Sequence, residues 1–508
     1  MFRTSLTLSG LALGAMLLST AAWADLSPNQ VWEDWRQYMD SVGYGVTASE
    51  AEDQGVLTVS DIAITIPPAE GRGEVTMTLG SLRFEPAEDG AVAVVLPDTL
   101  PIGLAGQADD ETPSFEMDLS LSQTDHAMIV SGSPEDMSYD YSAGTAALLM
   151  DRLVVDGDQV PDDRARIDLQ ATNFTSTTQV TVGEARAYTQ DGAVEILSFD
   201  LLAYSPEDES KIGMRGKLDG LTINGRGSIP TQTDDDENMA ALIDAGMEAT
   251  GTIAYTSGMT EFDVRHPEDG DSTIVTSSSG GTLGVGMGGE GLSYEGSQTG
   301  TKISMQLADL PFPVELSMAE SGFNLSVPVS AEEEPQDYAF GLTFQEFVMS
   351  DMIWGIFDPT GQLPRDPATL QLDVTGDATL QTDILDPEAT AQLEAAPGEI
   401  ETVKLNTLVL DAVGARLEGS GEVAFDNTDT TSYPGMSKPV GSFDLALAGG
   451  NALIDKLVAI GLLPDQQAMG ARMMMGLFAV PGEDPDTLTS TIEFTQDGQV
   501  LANGQRIR

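Results

Sequence analysis

The chain has 508 residues, no cysteine, and 82 acidic residues against 22 basic ones, for a formal net charge of −60. The missing cysteines exclude disulfides, thiolate metal sites and cysteine nucleophiles, and the charge excludes nucleic acid, whose phosphates it repels. Hydrophobic residues make up 41% of the chain, enough to build a core, so this is not a disordered polyanion.

The first residues read MFRTSLTLSGLALGAMLLSTAAWADLS. Arg3, the apolar run Leu6 to Leu18, and Ala22-Trp23-Ala24 are the three parts of a secretory signal, predicting residues 1–24 as a peptide cleaved after Ala24. No later run reaches the ~18 apolar residues of a membrane helix, so no transmembrane segment is expected after cleavage. A helix follows. Ser27 is a good N-cap, Pro28 suits the first helical position, and Val31, Trp35, Tyr38, Met39 and Val42 share one face until Gly43.

From Tyr44 the apolar period changes from 3.6 to 2. Phe115, Met117, Leu119 and Leu121 alternate with polar residues, as do Ile303 to Leu307, Phe323 to Val329, Leu370 to Val374 and Phe443 to Leu447. Each set predicts a strand with one apolar and one wet face. Asp89-Gly90, Asp191-Gly192, Asn224-Gly225, Asp497-Gly498 and Asn503-Gly504 read as turns between strands. More than twenty strands are expected, antiparallel because the connections are too short for crossovers. Short helices are expected at Asn238–Met247 and near Pro387–Ala395, with a turn around Asp351–Phe357. The acidic run Asp234–Glu237 marks a boundary between an N-terminal β-rich half, 25–232, and a C-terminal one, 233–508.

The last helical feature is LIDKLVAIGLLPDQQAMGARMMMGLF, Leu453 to Phe478. Asn451 can cap a first helix, Gly461 ends it and Pro464 opens a second. The second helix is broadly apolar through Met469, Met473, Met474, Met475, Leu477 and Phe478. The ordinary role of such a stripe is packing against a core, yet methionine also suits surfaces that accept varied apolar partners.

The motifs for chemistry are weak. Gly284 to Gly289 matches G-x-G-x-x-G, but a strand rather than a helix follows, so no dinucleotide site is expected. His126 and His266 lack the partners of a triad or zinc site. Acidic loops such as Asp156-Gly157-Asp158 could offer oxygens to calcium but fit no EF-hand. No serine-hydrolase elbow is present. No catalytic residue, metal or cofactor is assigned.

The segments FDPTGQLPRDPATLQLDVTGDATL, GNALIDKLVAIGLLP and FTQDGQVLANGQRIR, with DLSPNQVWEDWRQYMDSVGY and SGSPEDMSYDY, resemble an uncharacterised exported family of Gram-negative bacteria, domain of unknown function 2125. The resemblance implies a periplasmic location and imports no activity. A more distant likeness in architecture is to AsmA-like periplasmic proteins, in which a curved sheet offers an apolar groove to lipid chains.

These observations predict a mainly β fold: long curved antiparallel sheets, as a groove or a sandwich, with an N-terminal helix and a C-terminal αα-hairpin. With too few helices to cover so many one-sided strands, a non-enzymatic envelope protein that binds a lipid, an acyl chain or another apolar ligand is the leading expectation. Met473, Met474, Leu477 and Phe478 would lie near the mouth of its groove, with Trp32 and Trp35 at the other end. The alternative is a structural or interaction protein with a closed core that docks an envelope protein and holds no ligand.

Overall fold

The computed structural model describes residues 26–508, except 68–72, 107–112, 206–207, 232–237, 392 and 394–395. The expected signal and the acidic run Asp234–Glu237 lie outside the described residues. The described residues form six α-helices: α1 (Pro28–Ser41), α2 (Met239–Asp244), α3 (Asp351–Phe357), α4 (Pro387–Ala391), α5 (Gly450–Ala459) and α6 (Asp465–Phe478). Helix α1 starts as its sequence requires: Ser27 accepts the Gln30 amide, and the Gln30 side chain returns the bond to the Ser27 amide, a reciprocal cap that satisfies two free donors.

The 28 strands of the described residues all join one antiparallel sheet. Each strand pairs with its near neighbours in sequence, and twice the sheet forks and rejoins. Val56–Ile66 carries two short strands end to end, Val75–Leu79 and Leu82–Pro86. The two branches meet again on Asp136–Val155, which receives Phe115–Thr124 along one half and Ala127–Ser133 along the other. Three long strands then pair along their length: Arg166–Val182, Ala185–Tyr204 and Lys211–Pro230. Lys211–Pro230 forks onto Ser257–His266 and Glu248–Tyr255, and those branches rejoin on Gly291–Gln306. From there a meander runs to Lys438–Ala448, Thr487–Phe494 and the short terminal strands.

Pairing along the long strands corrects two of the expected turns. Asp191-Gly192 lies inside Ala185–Tyr204 and Asn224-Gly225 inside Lys211–Pro230, and Asn224 Nδ2 donates to Asp191 Oδ1 across the two strands at 2.6 Å. Both strands are 20 residues long, roughly 66 Å at about 3.3 Å per residue. Asp89-Gly90, Asp497-Gly498 and Asn503-Gly504 do form turns.

Register carries one apolar face across the sheet. Leu148 faces Leu169, which faces Phe199; Leu201 faces Met214, then Phe262, Ile274 and Met305 follow in turn. Further along, Phe323, Leu342, Leu372 and Leu408 form one row, and Leu410, Leu417, Leu447 and Leu488 another. The opposite face takes the polar positions between them, among them Gln371, Thr407, Glu418 and Asp444.

The tightest core sits at the N-terminal end. There α1 lies on the apolar face, and Val31 and Trp32 pack with Leu57, Val59, Phe84, Val92, Val130, Met137 and Val180. A buried carboxylate holds the helix down: Asp34 accepts two bonds from Arg186, at 2.6 and 2.9 Å, and one from the Tyr139 hydroxyl at 2.6 Å. Burial and then the bonded Asp34 carboxylate push the Tyr139 phenol far above its usual range. No helix among the described residues is long and apolar enough to cross a membrane.

Candidate functional site

Beyond α1 the apolar face loses its cover. Val285, Tyr294, Leu325 and Phe340 are successive register partners on four adjacent strands. Ile253 pairs with Leu283, which faces Gly296, which faces Phe323. These seven apolar side chains share a face, touch neighbouring strands and are each 37–47% exposed. Two packed sheets would bury such residues, because inner faces interdigitate at about 10 Å. Here the band faces outward. Single exposed apolar residues are ordinary, but a contiguous band marks a binding surface.

The sequence builds this band with aromatic rings laid over glycines. A Cβ on Gly296 would come within 2.5 Å of the Phe323 ring, and one on Gly216 within 2.6 Å of the Phe199 ring. Tyr338 lies over Gly376 and Phe443 over Gly421 in the same way. A glycine in a strand permits this close approach of a cross-strand ring. The formal nucleotide motif is part of the same surface: all but its last glycine falls in the strand Gly281–Gly288, where Val285 joins the apolar band and Gly284 and Gly286 lie under Glu295 and Ser293 on the polar side.

The residues expected to bind ligand fall at the two ends of the sheet and do not converge. Trp32 is 5% exposed; its Nε1 donates to Glu50 at 2.8 Å, and its ring is 6.0 Å from that of Phe84. Trp35 meets Phe84 edge-on at 5.4 Å. Both rings are occupied in holding α1 to the sheet. Near the other end, Met473 is 70% exposed, and Met474 and Leu477 are also exposed, while Phe478 is half-buried. The Phe478 carbonyl accepts from Ser490 Oγ at 2.6 Å and Asn503 Nδ2 at 2.9 Å, fixing the end of α6 to the last strands.

Helix α5 corrects the expected cap. It begins at Gly450, and its first amides are capped from outside by Asp486, which accepts from Asn451 N at 3.1 Å, Asn451 Nδ2 at 2.9 Å and Ala452 N at 2.9 Å. Asn451 is therefore held by the cap rather than forming it.

Reactive groups do not gather on the apolar band. His126 Nε2 lies 3.0 Å from the Leu96 carbonyl, and His266 Nδ1 accepts from the Glu268 and Asp269 amides at 3.3 and 3.0 Å. No group of three or more acidic or histidine side chains among the described residues is placed to hold a metal ion. The band offers apolar contact and one phenol, Tyr294, which suits a ligand recognised by its hydrocarbon.

The missed residues left a signal. Phe323 and Leu325 belong to an alternating strand pattern, but alternation alone does not show whether the apolar face is covered. The companions Val285 and Tyr294 sit in glycine-rich sequence and look like loop.

No curated protein matches the chain. The model of a family described as an uncharacterized protein conserved in bacteria, DUF2125, matches residues 243–507; the segments at 25–44 and 131–141 that share the resemblance lie before the match. The matched part contains the whole uncovered band, the meander and the terminal helix pair, and on this match the chain belongs to the DUF2125 family.

Proposed function

We propose that this protein is an exported, non-enzymatic protein of the cell envelope, working in the periplasm, that holds a lipid or acyl chain on the uncovered apolar face of its sheet. The observation that carries this reading is the contiguous band Ile253, Leu283, Val285, Tyr294, Phe323, Leu325 and Phe340, exposed on a face that elsewhere is covered by α1. Hydrocarbon burial is worth about 0.8 kcal/mol per methylene, and an open face buries one side of a chain, so about half of that is realised. Against an association cost of about 4–15 kcal/mol, only a long chain is retained. Ligands with long acyl chains are therefore favoured over small apolar molecules.

The test is native mass spectrometry of the protein purified from its own cell envelope. A reproducible extra mass that organic extraction removes supports the reading. A chain that shows only its own mass, and takes up no long-chain fatty acid or phospholipid in solution, overturns it.

A further inference from the structure

Helix α6 is apolar on two opposite faces. Ala468, Ala471, Met475 and Phe478 turn inward, with Ala468 buried and the others half-buried, while Met469, Met473 and Leu477 form an exposed stripe at i, i+4 and i+8. Apolar stripes on two opposite faces call for apolar surroundings on both sides, and the described residues supply only one. Helix α3 repeats the feature on a smaller scale: Trp354 is buried, while Met352 and Ile356 are exposed, Ile356 at 65%.

Topology puts the two helices on one edge of the sheet. Helix α3 follows the strand Gln336–Met349, and α5 and α6 follow Lys438–Ala448, four antiparallel pairings later. The two strands therefore point the same way, and their helices leave the same edge roughly 19 Å apart at ~4.8 Å per strand. Pro364, after α3, lies against Gly414 in the turn between them.

The helix pair is electrostatically unlike the rest of the molecule. In a chain of net charge −60, residues 449–482 carry two acids, Asp455 and Asp465, and two bases, Lys456 and Arg472. Arg472 bonds Asp455, tying α6 to α5. A second copy is a poor occupant, because association would bring two strongly negative bodies together. A broad, flat apolar partner that tolerates the acidic body is needed, and it must meet two separated helices on one edge.

We infer that this edge, α6 with α3, docks on the surface of a lipid bilayer of low charge. The inference rests on the lipid-holding reading and deepens it: the sheet that carries the apolar face meets the membrane through Met469, Met473, Leu477 and Ile356, on helices at one of its edges. Binding of this kind is driven by insertion of apolar side chains and depends little on salt.

The experiment is vesicle flotation of the full mature chain with phosphatidylcholine vesicles, at low and high salt, compared with the Met473→Ser, Leu477→Ser double variant. Flotation of the parent at both salt levels, reduced at least tenfold in the variant, is the expected result. Both side chains are exposed, so thermal unfolding of the variant should match the parent. A parent that stays at the bottom of the gradient overturns docking, as does a variant that floats equally well. Sedimentation showing a parent dimer that the substitutions abolish, without flotation, overturns it in favour of a second copy. Native mass spectrometry separates the two readings. A variant that loses flotation but keeps an extractable acyl mass supports docking through α6, whereas flotation without any acyl mass leaves docking standing and overturns the ligand.

Discussion

Arg186 holds Asp34 with both terminal guanidinium nitrogens across 152 residues of sequence. The Asp34 side chain is 5% exposed and that of Arg186 13%, so the pair is shielded from water. Burial works against the Arg186 charge, but the bonded Asp34 carboxylate outweighs it and holds the guanidinium above its usual range. This pair, with Tyr139, decides where α1 sits.

Removing one partner should cost more than removing both. Asp34→Asn or Arg186→Met leaves a buried charge uncompensated and is expected to destabilise the N-terminal end by about 3–5 kcal/mol. An Asp34→Leu, Arg186→Met double variant should recover a large part of that loss. Urea unfolding followed by the fluorescence of Trp32 and Trp35 checks it, and equal losses in single and double variants would refute the assignment.

The band itself should tolerate polar groups in the empty protein and reject them when loaded. Val285→Glu and Phe340→Glu replace exposed side chains, so each should shift stability by only about 0.5 kcal/mol. Binding of a long-chain fatty acid should fall at least tenfold, because a carboxylate would have to be buried against hydrocarbon. Titration with a fluorescent fatty acid provides the measurement, and unchanged affinity would move the ligand off this face.

Gly296→Val makes a different prediction. Its Cβ would sit 2.5 Å from the Phe323 ring, forcing the ring off the sheet. Overpacking of this kind costs about 1–3 kcal/mol. Both stability and fatty-acid binding should fall together, and a Gly296→Val, Phe323→Ala double variant should regain stability but not affinity.

Asp486 sets the acid response of the helix pair. Burial pushes its carboxyl up, but the Ala452 and Asn451 amides and the Asn451 side chain together hold it below the usual value. The sign follows from that depression. Its contribution is fully present above the unfolded carboxyl value of about 3.9 and is lost as pH falls further, through the lower folded value. Amide exchange at Asn451 and Ala452 should therefore accelerate below about pH 4. Asp486→Ala should produce the same acceleration at neutral pH, a cap loss of about 1 kcal/mol. Exchange that is insensitive to both changes would refute the cap.

Helix α1 was legible in its position and cap, because capping is local, but not in its whole inner face: Tyr38, expected on the apolar stripe, is exposed, while Trp32 and Asp34 are buried. The strands were legible for the same reason: Phe115 to Leu121 and Phe443 to Leu447 alternate within the reach of one strand. What sequence hides is long-range. Asp191-Gly192 and Asn224-Gly225 carry the chemistry of a turn but lie inside strands, where register pairs Gly192 with Ile223 and Gln190 with Gly225. Local propensity lost to pairing along three long strands. Asp34 and Arg186 give no sign of each other until the sheet brings the start of Ala185–Tyr204 beneath α1. The uncovered state of Val285 and Tyr294 depends on what the rest of the chain leaves unpacked.

The forked ladder has a consequence for how the molecule comes apart. Past α1, each strand leans on the strands beside it, so stability there adds up locally, as in a stacked array, rather than through one shared core. Loss of the last rungs does not require loss of the first. Heating should melt the C-terminal meander in stages while the end closed by α1 is still intact, giving a broad transition whose late phase belongs to residues around Trp32. A protein assembled in this way can loosen one stretch to admit a guest while its neighbours keep their register.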